Sequence, residues 1–380
     1  MSASFFIHKS PVEATCGVCG RTGEDVSQAL GVCRDCIVDD NDEARESIAR
    51  ARVRARERYS TPPSPPRTED GKTCRICVNQ CRMGPGELGF CGLRENRGGR
   101  VHSRAGTSRL GIFTAYHDPL PTNCVADWVC PGCSDAGYPG CSVSRGPERG
   151  HKNLAVFLAA CSFDCLFCQN WSFRENTEML APQRTPNELA DMVDDRTSCI
   201  CFFGGDPSPQ LPFALAASRR ALEHARGRIL RICWETNGSM NPGLLRQALA
   251  LSLETGGCVK FDIKAWDENL NRALAGTTNR RTFENVELAV GLSRGRPEPP
   301  PVIASTLMVP GYVGPDQVGA IARFLASLDP EIPYSLLAFH PDYLMEDMGT
   351  TTARLAHECE QAARSAGLSR IKIGNIHLLS

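Results

Sequence analysis

The chain has 380 residues, 42% of them hydrophobic and 22% charged, with a formal net charge of −1. That is room for two domains of ordinary globular composition. The near-zero charge excludes a global field that would draw the chain to nucleic acid or to an anionic membrane. No apolar run reaches the roughly 18 residues of a membrane span.

Met1–Pro11 lacks the basic start and apolar core of a secretory signal, so a cytoplasmic location is expected. Twenty cysteines are far more than core packing needs. In a reducing compartment they argue for metal binding over a disulfide framework. Fifteen of them fall into four clusters before residue 170. The remaining Cys199, Cys201, Cys233, Cys258 and Cys359 read as packing residues.

Cys16-x2-Cys19 and Cys33-x2-Cys36 open the chain as two knuckles suited to a tetrahedral four-thiolate site, and residues 1–40 are expected to form a zinc-ribbon-like module. Residues 41–59, rich in Ala, Arg and Glu, predict a helix. Its arginines carry no aromatic stripe, so it reads as a solvated linker helix and not as a nucleic-acid contact. With the Pro-rich stretch 61–68 it makes a linker over 41–70.

Residues 71–150 hold two further four-cysteine sets. One is Cys74, Cys77, Cys81 and Cys91; the other is Cys124, Cys130, Cys133 and Cys141. Each supplies enough thiolates for one zinc or one auxiliary [4Fe–4S] cluster, and thiolate number does not choose between them.

From residue 151 to 380, apolar runs alternate with helical patterns. Strands are expected at 153–160, 198–203, 229–235, 258–264, 302–309 and 335–340, with a short addition at 370–376. Helices are expected from Thr185-Pro186, over 316–328 and over 351–366. Six βα units imply an α/β fold, a partial or full parallel (βα)6 TIM-like barrel behind an N-terminal Cys-rich metal-binding region. In such barrels the chemistry lies at the C-terminal ends of the strands.

Polar and Gly-rich groups recur at those ends. They are Cys161-Ser-Phe-Asp-Cys165-Leu-Phe-Cys168, Gly204-Gly205-Asp206-Pro207, Glu235-Thr236-Asn237-Gly238, Asp262-Ile263-Lys264 and His340-Pro341. Each alone has an ordinary explanation. Gly-Gly-Asp-Pro makes turns, Asp262 and Lys264 can pair across a barrel, His340 can cap a strand, and Trp171 and Trp266 can be packing groups. The cysteine loop alone could hold zinc or part of a ferredoxin site. It gives three ligands to a cube of four irons and leaves one iron open to a chelating molecule.

This ordered set resembles the radical S-adenosylmethionine (SAM) superfamily. The likeness to pyruvate formate-lyase activating enzyme-like proteins, including the radical SAM member of the AmmeMemoRadiSam set, extends over about residues 72–380. Cys74-Arg-Ile-Cys-Val-Asn-Gln-Cys81, Gly89-Phe-Cys-Gly-Leu-Arg94 and Cys168-Gln-Asn-Trp171 carry it. The resemblance implies a [4Fe–4S] cluster on Cys161, Cys165 and Cys168. It also implies a SAM pocket drawn from Gly204, Gly205, Asp206, Glu235, Asn237, Asp262, Lys264 and His340, where Asp206 departs from the family's usual Glu. It further implies an oxidoreductase that cleaves SAM to a 5′-deoxyadenosyl radical, with ferredoxin or flavodoxin as electron donor. Its target would be a glycyl radical enzyme, or a small molecule, peptide or RNA. A metal-binding scaffold or electron-transfer protein with an inert barrel is the competing class.

Overall fold

The computed structural model describes residues 11–380, so the signal-peptide reading of Met1–Pro11 lies outside them, Pro11 apart. The strands β1 (Ala14–Thr15) and β2 (Thr22–Gly23) form a hairpin that, with the short helix α1 (Arg34–Val38), frames the first cysteine cluster. Helix α2 (Asp42–Glu57) follows where the sequence predicts it. The Asn41 side chain accepts from the Ala44 N–H, capping the helix, and Asp42 and Glu43 complement its dipole. Two small hairpins surround the second cluster: β3 (Lys72–Thr73) with β4 (Arg82–Met83), and β5 (Arg94–Arg97) with β6 (Arg100–Ser103).

The larger part is one sheet with helices on its outer face. Its strands are β7 (Gly111–Pro119), β8 (Lys152–Leu158), β9 (Gln183–Arg184), β10 (Thr197–Gly204), β11 (Arg231–Thr236), β12 (Val259–Asp262), β13 (Val302–Met308), β14 (Tyr334–Ala338) and β15 (Ile371–Gly374). They lie in the order β15-β14-β13-β12-β11-β10-β8-β7-β9. From β8 to β15, leaving aside β9, every neighbouring pair is parallel. Between and after the strands run α3 (Phe173–Met179), α4 (Pro186–Ala190), α5 (Leu211–Ala225), α6 (Pro242–Thr255), α7 (Glu268–Ala275), α8 (Arg280–Ser293), α9 (Pro315–Leu328) and α10 (Ala353–Ser365). Helix α9 shows why they pack on the sheet: Val318, Ile321, Ala322 and Leu325 make one buried apolar stripe. Thr185 and Glu188 complete a capping box at α4.

Tyr116 of β7 and Ile373 of β15 line the same cavity. The sheet therefore curls into an incomplete barrel, open between β7 and β15, which are not paired. The expected strands are all present. Strand β7 was not expected. It pairs antiparallel to β8 from Phe113↔Leu158 to Pro119↔Lys152, so the sheet begins upstream of residue 151. Thr114, Tyr116 and His117 are exposed, so it lacks the continuous apolar run of the buried strands.

Candidate functional site

The segment Cys161–Cys168 leaves the C-terminal end of β8 as a loop. Ala160, in the left-handed conformation at φ 67°, turns the chain into it. The Ala160 N–H donates to Thr177 Oγ1 (2.8 Å), and the Asp206 N–H donates to the Ala160 carbonyl (3.0 Å). Gly205 must be glycine here, because a Cβ would sit 2.0 Å from the Ala160 carbonyl oxygen. Close approach of β10 to β8 thus accounts for this residue before any ligand is considered.

Asp164, between the first two cysteines, is the electrostatic centre of the loop. Its side chain is fully buried among Arg174 (2.8 Å), Arg56 (3.3 Å) and Arg52 (3.4 Å). Burial pushes its carboxyl up, but the guanidiniums of Arg56, Arg174 and Arg52 outweigh that and hold it at about 2. Arg52 also donates to the Asp164 and Ala273 carbonyls, and Arg56 to those of Pro62 and Phe90. The expectation of a solvated linker helix is therefore corrected: α2 is clamped against the cysteine loop through Arg52 and Arg56. They lie four apart, so both fall on the buried face with Ala51 and Ala55. The acid inside the cysteine motif and this pair of arginines were the available signals, and sequence reasoning missed both.

A cavity of about 180 Å3 opens beside the loop. Its wall contains Cys161, Cys165 and Cys168 together with Gly204, Gly205, Asp206, Glu235, Asn237, Asp262 and Lys264. His340 is not among the lining residues; it follows β14 beside Asp342. Asp206 is a buried organiser, accepting from Thr236 Oγ1 (2.7 Å) and from the Asn237 and Ser208 N–H groups (2.9 and 2.8 Å). Asn237 Nδ2 donates to Ser162 Oγ (2.9 Å) and lies 3.7 Å from Cys161 Sγ. Asp262 and Lys264 form a half-buried ion pair, leaving Asp262 Oδ1 buried without a hydrogen-bond partner. Trp171 stacks on Tyr343, and Trp266 packs edge-on to Phe283, as packing groups do.

The residues fit a cluster whose iron–sulfide core is cationic. Burial pushes the Cys165 thiol up to about 12, with Lys264 partly offsetting it, and a metal centre supplies the positive charge such a thiol needs to ionise. An orphaned carboxylate oxygen and an ammonium in the same wall suit a zwitterionic ligand.

The other cysteine sets differ in geometry. Cys16, Cys19, Cys33 and Cys36 are the only group among the described residues whose ligand atoms all lie within 4.8 Å of one another. Cys16 Sγ–Cys36 Sγ is 3.8 Å and Cys19 Sγ–Cys33 Sγ is 3.7 Å. The edge of a tetrahedron with Zn–S bonds of about 2.3 Å is about 3.8 Å. This module docks on the barrel through Tyr312, whose hydroxyl accepts from the Ser27 N–H and donates to the Val32 carbonyl, both at 2.9 Å. Cys74, Cys77, Cys81 and Cys91 share one small cavity. The second motif reaches the Cys161–Cys168 loop through Asn79, whose Nδ2 donates to the Ser162 carbonyl (2.6 Å). Of the third set, Cys124, Cys130 and Cys133 line the barrel lumen, whereas Cys141 packs against Gly256 and Gly137.

Residues 156–325 match the sequence profile of the radical SAM superfamily. Over that stretch the chain is similar to radical SAM proteins. An uncharacterized protein of Methanocaldococcus jannaschii is 26% identical over 315 residues, covering 81% of this chain and 83% of that protein. Among solved structures, a domain of pyruvate-formate lyase-activating enzyme from Bacteroides vulgatus is 19% identical with a TM-score of 0.36, over 46% of this chain and 98% of that one. A radical SAM methyltransferase from Sphaerobacter thermophilus is 15% identical with a TM-score of 0.43, over 59% and 66%. Streptococcus suis SuiB bound to its precursor peptide SuiA is 12% identical with a TM-score of 0.45, over 57% and 47%. Within the matched stretch the three-cysteine loop and its cavity stand at the C-terminal ends of the parallel strands, the face where barrels carry chemistry.

Proposed function

We propose that this radical SAM enzyme binds a [4Fe–4S] cluster on Cys161, Cys165 and Cys168 and cleaves SAM reductively. The observation that carries the reading is the shared wall: three thiols from one loop and the polar ends of β10, β11 and β12 face one cavity. When bound, the cluster and SAM supply one-electron cleavage to methionine and a 5′-deoxyadenosyl radical that takes a hydrogen atom from substrate. The chain's own work is positioning. Asp164 and its arginines hold the loop, and Ser162, Asp206 and Asn237 fix the strand ends around it. Asp262 and Lys264 present a carboxylate and an ammonium to the amino acid end of the ligand. The surrounding apolar wall excludes water.

The resemblance of residues 72–380 to pyruvate formate-lyase activating enzyme-like proteins supports a glycyl radical enzyme as target, with reduced ferredoxin or flavodoxin as donor in a reducing cytosol. The tetrahedral edges of Cys16, Cys19, Cys33 and Cys36 support a structural zinc. The wider spread of Cys74, Cys77, Cys81 and Cys91 favours a group with several metal ions, an auxiliary cluster, over a single zinc. Anaerobically reconstituted protein should release 5′-deoxyadenosine from SAM with a strong reductant. Absence of that product from protein holding its full iron would refute the reading.

A further inference from the structure

We propose that the lumen at the N-terminal end of the strands is a second iron–sulfur site, built from cysteines that the motifs do not group together. A cavity of about 550 Å3 occupies this part of the barrel. Cys199 and Cys201 of β10 point into it, as residues two apart on a strand must. Cys233 of β11 and Cys258, just before β12, join them, and Cys124 and Cys130 enter from the loop below. Expected to be scattered packing residues, Cys199, Cys201, Cys233 and Cys258 are gathered on one patch of the concave face. Cys359 alone of that group is plain core, in α10.

The charge arrangement identifies the ligand class. Lys260 is 2% exposed, yet its ammonium faces Cys201 Sγ at 3.0 Å and Cys124 Sγ at 3.1 Å. Its carboxylate partner among the described residues is Glu235, at 3.3 Å. Beside that carboxylate, the sulfurs facing the buried ammonium are placed for further negative charge. A cluster held by thiolates supplies it, because four thiolates outweigh the charge of its iron–sulfide core. A single zinc does not fit. Cys199 Sγ and Cys233 Sγ are 3.7 Å apart, but among the described residues no third ligand atom completes a set within 4.8 Å. Thiols dispersed around a cavity suit a cluster in which each binds a different iron.

The loop that brings Cys124 and Cys130 is fixed across the barrel. Trp128 Nε1 donates to Ser335 Oγ (3.1 Å), Ser335 Oγ donates to the Val125 carbonyl (2.6 Å), and Lys372 pairs with Asp127 (2.8 Å). Beneath them Arg231 and Glu148 form a buried bidentate pair (2.7 and 2.6 Å). Glu235 and Phe203 line both this cavity and the one beside Cys161–Cys168, so the two clusters face one another through the same lumen.

The test counts metal and does not depend on SAM turnover. Wild-type chain, the Cys201→Ser/Cys233→Ser variant and a Cys359→Ser control are reconstituted anaerobically with iron and sulfide, and both elements are assayed. The double variant should lose about four irons and four sulfides per chain, one cubane's worth. The control should lose none. A Cys161→Ala/Cys165→Ala/Cys168→Ala chain should lose a separate four. Wild-type iron content in the double variant, or loss of zinc in place of iron, overturns the proposal. If the double variant does not fold, diffraction from wild-type crystals at the iron absorption edge decides. An anomalous peak between Cys201 and Cys233 supports the site, and no iron peak in that cavity refutes it.

Discussion

Replacing Asp164 with Asn should cripple the cysteine loop without touching a cluster ligand. The substitution keeps the side chain's size and removes its charge. Three guanidiniums, those of Arg52, Arg56 and Arg174, then share a buried site with no counterion. A carboxyl held at about 2 in place of its ordinary 3.8 is worth about 2.4 kcal/mol. Stranding buried charges costs more, about 3–5 kcal/mol. That larger figure governs, because Arg174 Nη1 already lacks a hydrogen-bond partner and has no reserve. The expected result is a loss of about 3–5 kcal/mol in denaturant unfolding at pH 7, with reduced iron retention.

The pH dependence has a definite sign. The folded carboxyl titrates below the unfolded one, so its contribution is complete above about pH 4. It is lost as the pH falls toward 2. Metal-free wild type should therefore lose stability between pH 4 and 2 more steeply than metal-free Asp164→Asn. Arg50→Ala, on the exposed side of α2, is the control, expected within about 0.5 kcal/mol of wild type. An Asp164→Asn chain with wild-type stability and iron content would refute the claim that α2 and the loop are coupled through this carboxylate.

Cys165→Ala should abolish 5′-deoxyadenosine formation while the circular dichroism of the barrel is unchanged; residual product at the wild-type rate would exclude Cys165 as a ligand. Gly205→Ala should destabilise by about 3 kcal/mol or more, since its Cβ would meet the Ala160 carbonyl, and urea titration would show it. Tyr312→Phe removes the acceptor for the Ser27 N–H and the donor to the Val32 carbonyl, at a cost of about 1–3 kcal/mol. Limited proteolysis should then release the first module faster. Chelation of zinc from the wild type should do the same, and cleavage rates unaffected by either change would separate the module from the barrel.

The cysteine loop was legible because its three cysteines lie within eight consecutive residues, so chain connectivity alone holds them together. The strands were legible too: Val302–Met308 and Thr197–Gly204 are buried on both faces and read as apolar runs. The polar residues at their ends fell into one cavity because parallel strands point the same way. His340, two residues past the end of β14, does not line that cavity. Strand β7 was hidden because it is an antiparallel flank with exposed residues, and its place depends on pairing with β8.

Assembly across long separations followed another rule. Cys199 and Cys201 share a face by strand periodicity, which is written in the sequence. That Cys233, Cys258, Cys124 and Lys260 meet them is not, because it requires the sheet to curl and a loop to close over its lower end. Asp164 likewise shows an acid inside a metal motif, but its arginines stand 112, 108 and 10 residues away. Local spacing set the cysteines of one loop, whereas the curvature of the sheet set which distant side chains share a buried space and must balance each other's charge.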